Sequence, residues 1–494
     1  MLDILIKNAT VCDGTGNPWY RADVGIRRGV IAAVGVVRER ARRTIDGSRL
    51  AACPGFIDVH THADGIVERP NAENFLRQGV TTVVDGNCGA SRLPIRPWLD
   101  AVESARPAIN YATLVGHGTI RERVLGTANR VPTRRELAEM RRLADRAMRD
   151  GAVGMSTGLF YVPGAYAKLD ELVAVAKAVA ARGGVYASHA RSAGGKLFAA
   201  LREAAAIGKR AGIPIEVSHL KVLHKRGRTT RGRAADALAA IARYRDQGVD
   251  VTYDLHPYPA TYTSLASVVV PPWVSKDGRL VERLQSAALR RRIRDRVAGN
   301  IAWIGGPDRF TIAMFAPDRL LEGRTLADAA RERKRSAVDT AMDLIVEGGP
   351  NCIFHALRPE DVRTILCGPH SMVASDGQVV GSRRSVVHPR YYGTFPRVLR
   401  EYVRERKLLT WETAIRKMTS LPARKFGIPG RGVLATGRVA DVVLFNPRTV
   451  GERTTFERPH AFPVGIRAVI VKGGVAWDGH RISTERAGVV IRKA

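Results

Sequence analysis

No run in the 494-residue chain approaches the roughly 18 consecutive apolar residues that a membrane-spanning helix needs, so no membrane partner is expected. The start also lacks a cationic stretch leading into a long apolar one. Met1-Leu2-Asp3-Ile4-Leu5-Ile6-Lys7-Asn8 alternates like a strand, and a cytoplasmic protein is expected rather than a secreted one. Cysteine is scarce. The five thiols, Cys12, Cys53, Cys88, Cys352 and Cys367, are odd in number and far apart in a long chain. That excludes a disulfide framework and leaves one or two thiols to act as ligands or nucleophiles. Internal repeats and low-complexity segments are missing too. With 45% hydrophobic and 26% charged residues, wholesale disorder is excluded.

Acidic residues are the minority charge: 47 Asp and Glu face 79 Lys and Arg, giving a net charge of +32. Only 14 of the 79 are lysines, which leaves 65 arginines. Such an excess could attract nucleic acid or another polyanion. The densest runs, Arg290-Arg291-Arg292 and Arg331 to Arg335, fall on helix-like segments and lack the interleaved aromatics on which bases stack. The excess therefore reads as arginine scattered over solvated faces, and a nucleic-acid partner is not expected.

What is present is a change of texture along the chain. Residues 1–53 read as short strands (Asp3–Ile6, Thr10–Cys12, Ala22–Ile26, Val30–Val34) punctuated by Gly14, Gly16, Gly29 and Gly35. Residues 430–494 have the same texture, and the two ends are expected to pair as one small β-sandwich domain. Between them, residues 54–429 alternate apolar strands with helical patterns, as a parallel α/β fold does. Eight strands are expected: Phe56–Val59, Thr81–Asp85, Tyr111–Val115, Gly154–Ser156, Val185–Ser188, Ile215–Ser218, Val251–Asp254 and Met372–Ser375. Helical patterns such as Arg134–Arg149, Asp170–Arg182, Lys196–Ala211 and Ala234–Gln247 separate them. Eight such units predict a (β/α)8 barrel. The long gap between the last two strands predicts a helical inserted cap at about 275–350.

Barrel enzymes work at the C-terminal ends of their strands. Those ends carry His60 and His62, Cys88, His117, the Ser156–Tyr161 turn, His189, His219, His256 and Asp376. Period-2 geometry puts His60 and His62 on one face of the first strand, where they can converge on one ion. A thiolate from Cys88 is a soft ligand suited to zinc. Nitrogen and sulfur donors plus a free carboxylate are what metal-activated water and a general acid/base require.

The sequence PGFIDVHTHAD, a His after strands five and six and an Asp after strand eight resemble the amidohydrolase superfamily. GNCG at 86–89, VGHGTIR at 115–121, GMSTGLFYVPG at 154–164, SHLK at 218–221, HPRYYGTFPR at 388–397 and GRVAD at 437–441 narrow this. With these, the chain is similar over essentially its whole length to the N-acyl-D-amino-acid deacylase (D-aminoacylase) family. The resemblance implies that Cys88, His189 and His219 hold a principal zinc. It implies also that His60 and His62 with Cys88 frame a second, weaker site, and that Asp376 is the catalytic base. It directs Lys221, Tyr161 and Arg390 at the α-carboxylate of an N-acyl-D-amino acid, with His117 and Ser156 lining or supporting the pocket. Strand four carries no lysine to bridge two ions, which argues against a cyclic-amide hydrolase of the hydantoinase type.

The loop after strand seven departs from the family, with Tyr262 where a small hydroxyl residue would be expected. Arg383 and Arg384, on a lengthened loop after Asp376, would favour an anionic substrate side chain, whereas Tyr262 offers an apolar wall. Cleavage of an N-acyl-D-amino acid to a carboxylate and a free D-amino acid is the expected activity. A cyclic-amide hydrolase or a deacylase of another amide is the alternative, and homo-oligomerisation is left open.

Overall fold

The computed structural model describes residues 1–224, 233–381 and 385–493. Arg383 and Arg384 lie outside the described residues. Eight parallel strands form the central sheet: β1 (Phe56–Asp58), β2 (Val80–Asp85), β3 (Asn110–Gly116), β4 (Gly154–Gly158), β5 (Val185–His189), β6 (Ile215–Val217), β7 (Val251–Leu255) and β8 (Ser371–Val373). They are paired in chain order, and each lies within two residues of its expected limits. Every residue on the eight strands is buried, because helices cover the outside and side chains fill the inside. The helices follow their sequence signals. Arg134–Arg149, for instance, starts at Thr133, whose hydroxyl and the Glu136 carboxylate cap each other's backbone N–H. No helix among the described residues is long and apolar enough to cross a membrane.

The seam between β1 and β8 is joined by side chain and turn rather than by a ladder within the sheet. The Asp58 carboxylate accepts the N–H groups of Ser375 (3.0 Å) and His60 (3.3 Å). The Asp376 N–H donates to the His60 carbonyl at 2.9 Å, and Gly377-Gln378 pair in parallel with Thr61-His62. The barrel thus closes through the residues that follow its first and last strands.

Both chain ends enter a second eight-stranded sheet. Leu2–Val11, Tyr20–Arg27, Val30–Gly35, Ala41–Asp46 and Ala51–Pro54 come from the start, and Val442–Phe445, Ile466–Val471 and Gly474–Trp477 from the end. The halves meet where Ala51–Pro54 runs antiparallel to Val442–Phe445. Asp3–Ile6 and Thr10–Cys12, expected as two strands, are one, broken by a register shift beside Asn8, whose φ is 58°. Ala41–Asp46 and Ala51–Pro54 were not foreseen. The first is arginine-rich and largely exposed, and the second is four residues ending in proline.

The insert between β7 and β8 contains the expected helices, among them Ala287–Ile304 and Ala337–Glu347. It also contains an unforeseen antiparallel sheet of Thr261–Ser264, Asn351–Phe354 and Phe310–Met314. The insert packs around its own core, including Leu265, Val297, Phe310, Leu344 and Phe354.

Asp441 ties the terminal sheet to the barrel. Its buried carboxylate accepts from Arg431 Nε (2.8 Å), Asn110 Nδ2 on β3 (2.9 Å) and the Lys472 N–H (2.7 Å). Asp441→Ala would take from Arg431 its counter-ion and from the Lys472 N–H its acceptor. It should lower stability by about 3–5 kcal/mol, read as a fall in the urea midpoint. An unchanged midpoint would show that the tie is dispensable.

Candidate metal centre

The strand ends deliver their donors by turning sharply. Cys88, His219 and Asp376 have φ values of 55°, 35° and 48°, a left-handed region that side-chain-bearing residues seldom occupy. Each such residue costs on the order of 1–3 kcal/mol and persists only where its surroundings enforce it. Here the turns throw a thiol, an imidazole and a carboxylate back over the barrel mouth. Cys88 Sγ lies 3.4 Å from His60 Nε2, 3.3 Å from His189 Nδ1 and 3.6 Å from His219 Nε2. A tetrahedral zinc with N at about 2.0–2.1 Å and S at about 2.3 Å holds those atoms about 3.5 Å apart, so the donor set fits the ion. A second group adjoins the first: Asp376 Oδ1 is 3.3 Å from His62 Nε2 and 3.8 Å from His60 Nε2. His60 is common to the His60/Cys88/His219 and His60/His62/Asp376 groups. Asp376, expected only as a base, therefore stands among the donors as well.

Local packing holds the Cys88 turn. Ser156 Oγ donates to the Gly86 carbonyl (2.5 Å) and accepts the Gly89 N–H (2.9 Å), clasping the turn on both sides of the thiol. Gly158 runs so close beneath it that a Cβ there would collide with the Cys88 carbonyl. Ser156 thus supports the thiol from below and is not part of the cavity wall.

Above the donors opens a cavity of about 450 Å³ whose floor includes His62, Cys88, His189, His219 and Asp376. Lys221, Arg390, Tyr161 and Tyr262 also face it. Lys221 Nζ lies 3.1 Å from His219 Nδ1, and Arg390 Nη1 lies 3.0 Å from Asp376 Oδ2. The Tyr161 hydroxyl meets Thr263 Oγ1 at 3.1 Å, and the Tyr262 ring lies 5.7 Å from the Arg390 guanidinium. His117, expected near the pocket, is elsewhere. Its Nε2 sits 3.0 Å from Glu171, which also takes two hydrogen bonds from the buried Arg121. That knot anchors the helix following β3.

The Amidohydrolase family matches residues 43–476. The chain belongs to that family. Within it, the chain is 36% identical to a D-aminoacylase of Alcaligenes xylosoxydans xylosoxydans, over 99% of this chain and 98% of that one. It is 37% identical to an N-acyl-D-glutamate deacylase of the same organism, over 100% and 97%. A crystal structure of N-acyl-D-glutamate deacylase from Bordetella bronchiseptica, complexed with zinc and a phosphonate inhibitor, superposes with a TM-score of 0.86 at 36% identity, covering 99% of each chain. An L-hydantoinase from Arthrobacter aurescens, 18% identical with a TM-score of 0.55, shares the fold.

Charge in this amidohydrolase's site is arranged against burial. Burial would raise the Cys88 thiol, yet His60 and His189 beside it hold it well below its ordinary value. Burial would likewise raise the Asp376 carboxyl, but the Arg390 guanidinium and His62 keep it well below the usual carboxylate range. Burial, with Lys221 adjacent, pushes His219 well down, so its ring is a neutral donor. The remaining thiols behave oppositely: burial drives Cys12 up to about 12 and Cys53 well above its ordinary value. In metal-free protein, alkylation by iodoacetamide should therefore modify Cys88 at a rate nearly independent of pH from 9 down past 7. Cys12, Cys53 and Cys352 should stay unreactive. A Cys88 rate that falls tenfold per pH unit below 9 would contradict this arrangement.

Two contributors were not singled out in the sequence, although the first lies within the Ser156–Tyr161 turn expected at the barrel mouth. Phe160 stacks on His189, its ring plane 17° away at 5.7 Å. Asp254 was read only as the end of a strand, but its carboxylate touches two of the donor-bearing residues. Strand alternation, which turns Asp254 and Thr252 to the same side of β7, was the available signal.

Proposed function

We propose that this chain hydrolyses the amide bond of N-acyl-D-amino acids, releasing a carboxylate and a free D-amino acid. The observation that carries this reading is one cavity floor holding a thiolate among imidazole nitrogens, an ionised carboxylate and two cationic side chains. The full-length similarity to D-aminoacylase and to N-acyl-D-glutamate and N-acyl-D-aspartate deacylases supports it.

Cys88, His189 and His219 would hold the principal zinc, with His60 and His62 beside Cys88 framing the second site. Zinc, when bound, supplies a Lewis acid for the scissile carbonyl and lowers the pKa of water from about 15.7 towards 7. The protein's own groups do the rest. Asp376, kept ionised by Arg390, accepts the proton of the attacking water. It then passes that proton to the amide nitrogen, which is too basic to leave unprotonated. Lys221 and Arg390 present positive charge to the substrate α-carboxylate, Arg390 with a planar fork suited to it. Tyr161 and Tyr262 bound the space around it. Fixing the carboxylate and the carbonyl together selects one hand at the α-carbon. β4 contributes Gly154-Met155-Ser156-Thr157-Gly158 and no lysine, so the cyclic-amide alternative gains no support from the site.

Hydrolysis rates on matched N-acetyl-D and N-acetyl-L amino acids, beside hydantoin and dihydroorotate, test the reading. Turnover should be confined to the D series, and preference for the L series or for a cyclic amide would refute it. Asp376→Asn keeps the shape but cannot take the proton. It should retain substrate binding while turnover drops on the order of 10²–10⁴-fold. Cys88→Ala should lose zinc, measured by elemental analysis, together with activity, in a protein whose circular dichroism is unchanged.

A further inference from the structure

We propose that Asp254 is the positioning residue of the metal centre: it sets which nitrogen of His60 carries the proton and pins the turn that presents His219. The proposal rests on the reading of the site as a metal centre. Asp254 lies on β7, is 1% exposed and faces no solvent. Its two carboxylate oxygens have separate tasks. Oδ2 lies 3.3 Å from His60 Nδ1, and Oδ1 accepts the backbone N–H of His219 at 2.8 Å.

A neutral imidazole has one N–H and one lone pair. A carboxylate at Nδ1 can only accept, so the proton is drawn to Nδ1 and the lone pair is left on Nε2. His60 Nε2 is the atom 3.4 Å from Cys88 Sγ and 3.8 Å from Asp376 Oδ1, at the junction of the two donor groups. With the opposite tautomer, Nε2 would point an N–H at the metal position and could not ligate. The second oxygen acts on backbone rather than ring. His219 is held at φ 35°, and the hydrogen bond from its N–H to Asp254 opposes relaxation of that turn. One buried carboxylate on a third strand therefore sets a ligand from β1 and a ligand from β6. A layer deeper, Glu216 hydrogen-bonds Thr252 on the same strand, and burial pushes its carboxyl well up. Glu216 supplies a buried acid that touches no donor-bearing residue through any hydrogen bond described.

Asp254→Asn separates positioning from packing. The amide oxygen can still accept the His219 N–H. The NH₂ group facing His60 Nδ1 demands a lone pair there and moves the ring proton to Nε2. The variant should fold and yet bind the second zinc, at the site His60 frames, about 10–100-fold more weakly, the usual weight of a carboxylate behind a histidine ligand, measured as the second equivalent in chelator competition on purified apoprotein. Glu216→Gln, the same change one layer down, should leave zinc affinity unmoved. In a His60→Ala background Asp254→Asn should cost far less zinc affinity than in wild type, because the ring it acts through is gone.

Where Asp254→Asn does not fold, the wild type still decides. In zinc-loaded protein labelled with ¹⁵N-histidine, long-range ¹H–¹⁵N correlations should place the His60 proton on Nδ1. Second-site zinc affinity unchanged in a folded Asp254→Asn variant, equal losses with and without His60, or an Nε2–H tautomer would each overturn the assignment of Asp254. Failure of wild type to bind zinc at all would instead overturn the metal centre.

Discussion

A thiolate held among three imidazole nitrogens is the interaction on which the rest of this site depends. Burial opposes the charge on Cys88, and a charge so placed survives only where positive groups surround it. That requirement explains why the donors come from β1, β2, β5 and β6 rather than from one loop. A closed ring of parallel strands lets imidazoles from three sequence-distant ends stand 3.3–3.6 Å from a thiol carried by a fourth. It also explains the strain. Cys88, His219 and Asp376 each hold a left-handed backbone angle that a free chain would abandon. The clasp of Ser156 and the close approach of Gly158 keep the first of them in place.

Much of this was legible beforehand. The eight barrel strands could be located to within two residues because their apolar runs are short and bounded by helical periodicity. The donors could be named because each stands where such a run stops. The joining of both termini in one sheet could be read from their shared glycine-punctuated texture. Less visible was anything that depends on three-dimensional neighbours. Asp254 looks like a strand residue until β1 is brought beside β7. His117 ends a strand, as the ligands do, but a helix starts at that residue and carries its ring to Glu171. The three-stranded sheet inside the insert pairs segments nearly a hundred residues apart, and no local period announces that.

The division of labour between barrel and insert follows from the same geometry. The groups that hold or move protons, and those that could hold metal, stand at or just after the C-terminal ends of the barrel strands. Thr261–Ser264, which opens the insert, supplies Tyr262 and Thr263 to the cavity wall. Side chains around the substrate can therefore change while the donor set stays fixed. Relatives with one fold and different N-acyl-D-amino acids in their names are compatible with such a separation.

The seam between β1 and β8 gives the site an order of assembly during synthesis. Cys88, His60, His189 and His219 all precede residue 220, so a nascent chain carries the four side chains of the thiol-centred group while more than half of its residues are still unmade. The His60/His62/Asp376 group is different. Its carboxylate is translated some 150 residues later and arrives only when Ser375 docks on Asp58 and Gly377-Gln378 align with Thr61-His62. Translation order thus separates the two halves of the centre: every donor of the thiol-centred group is made before the base, and both groups take their final places only when β7 and β8 complete the ring.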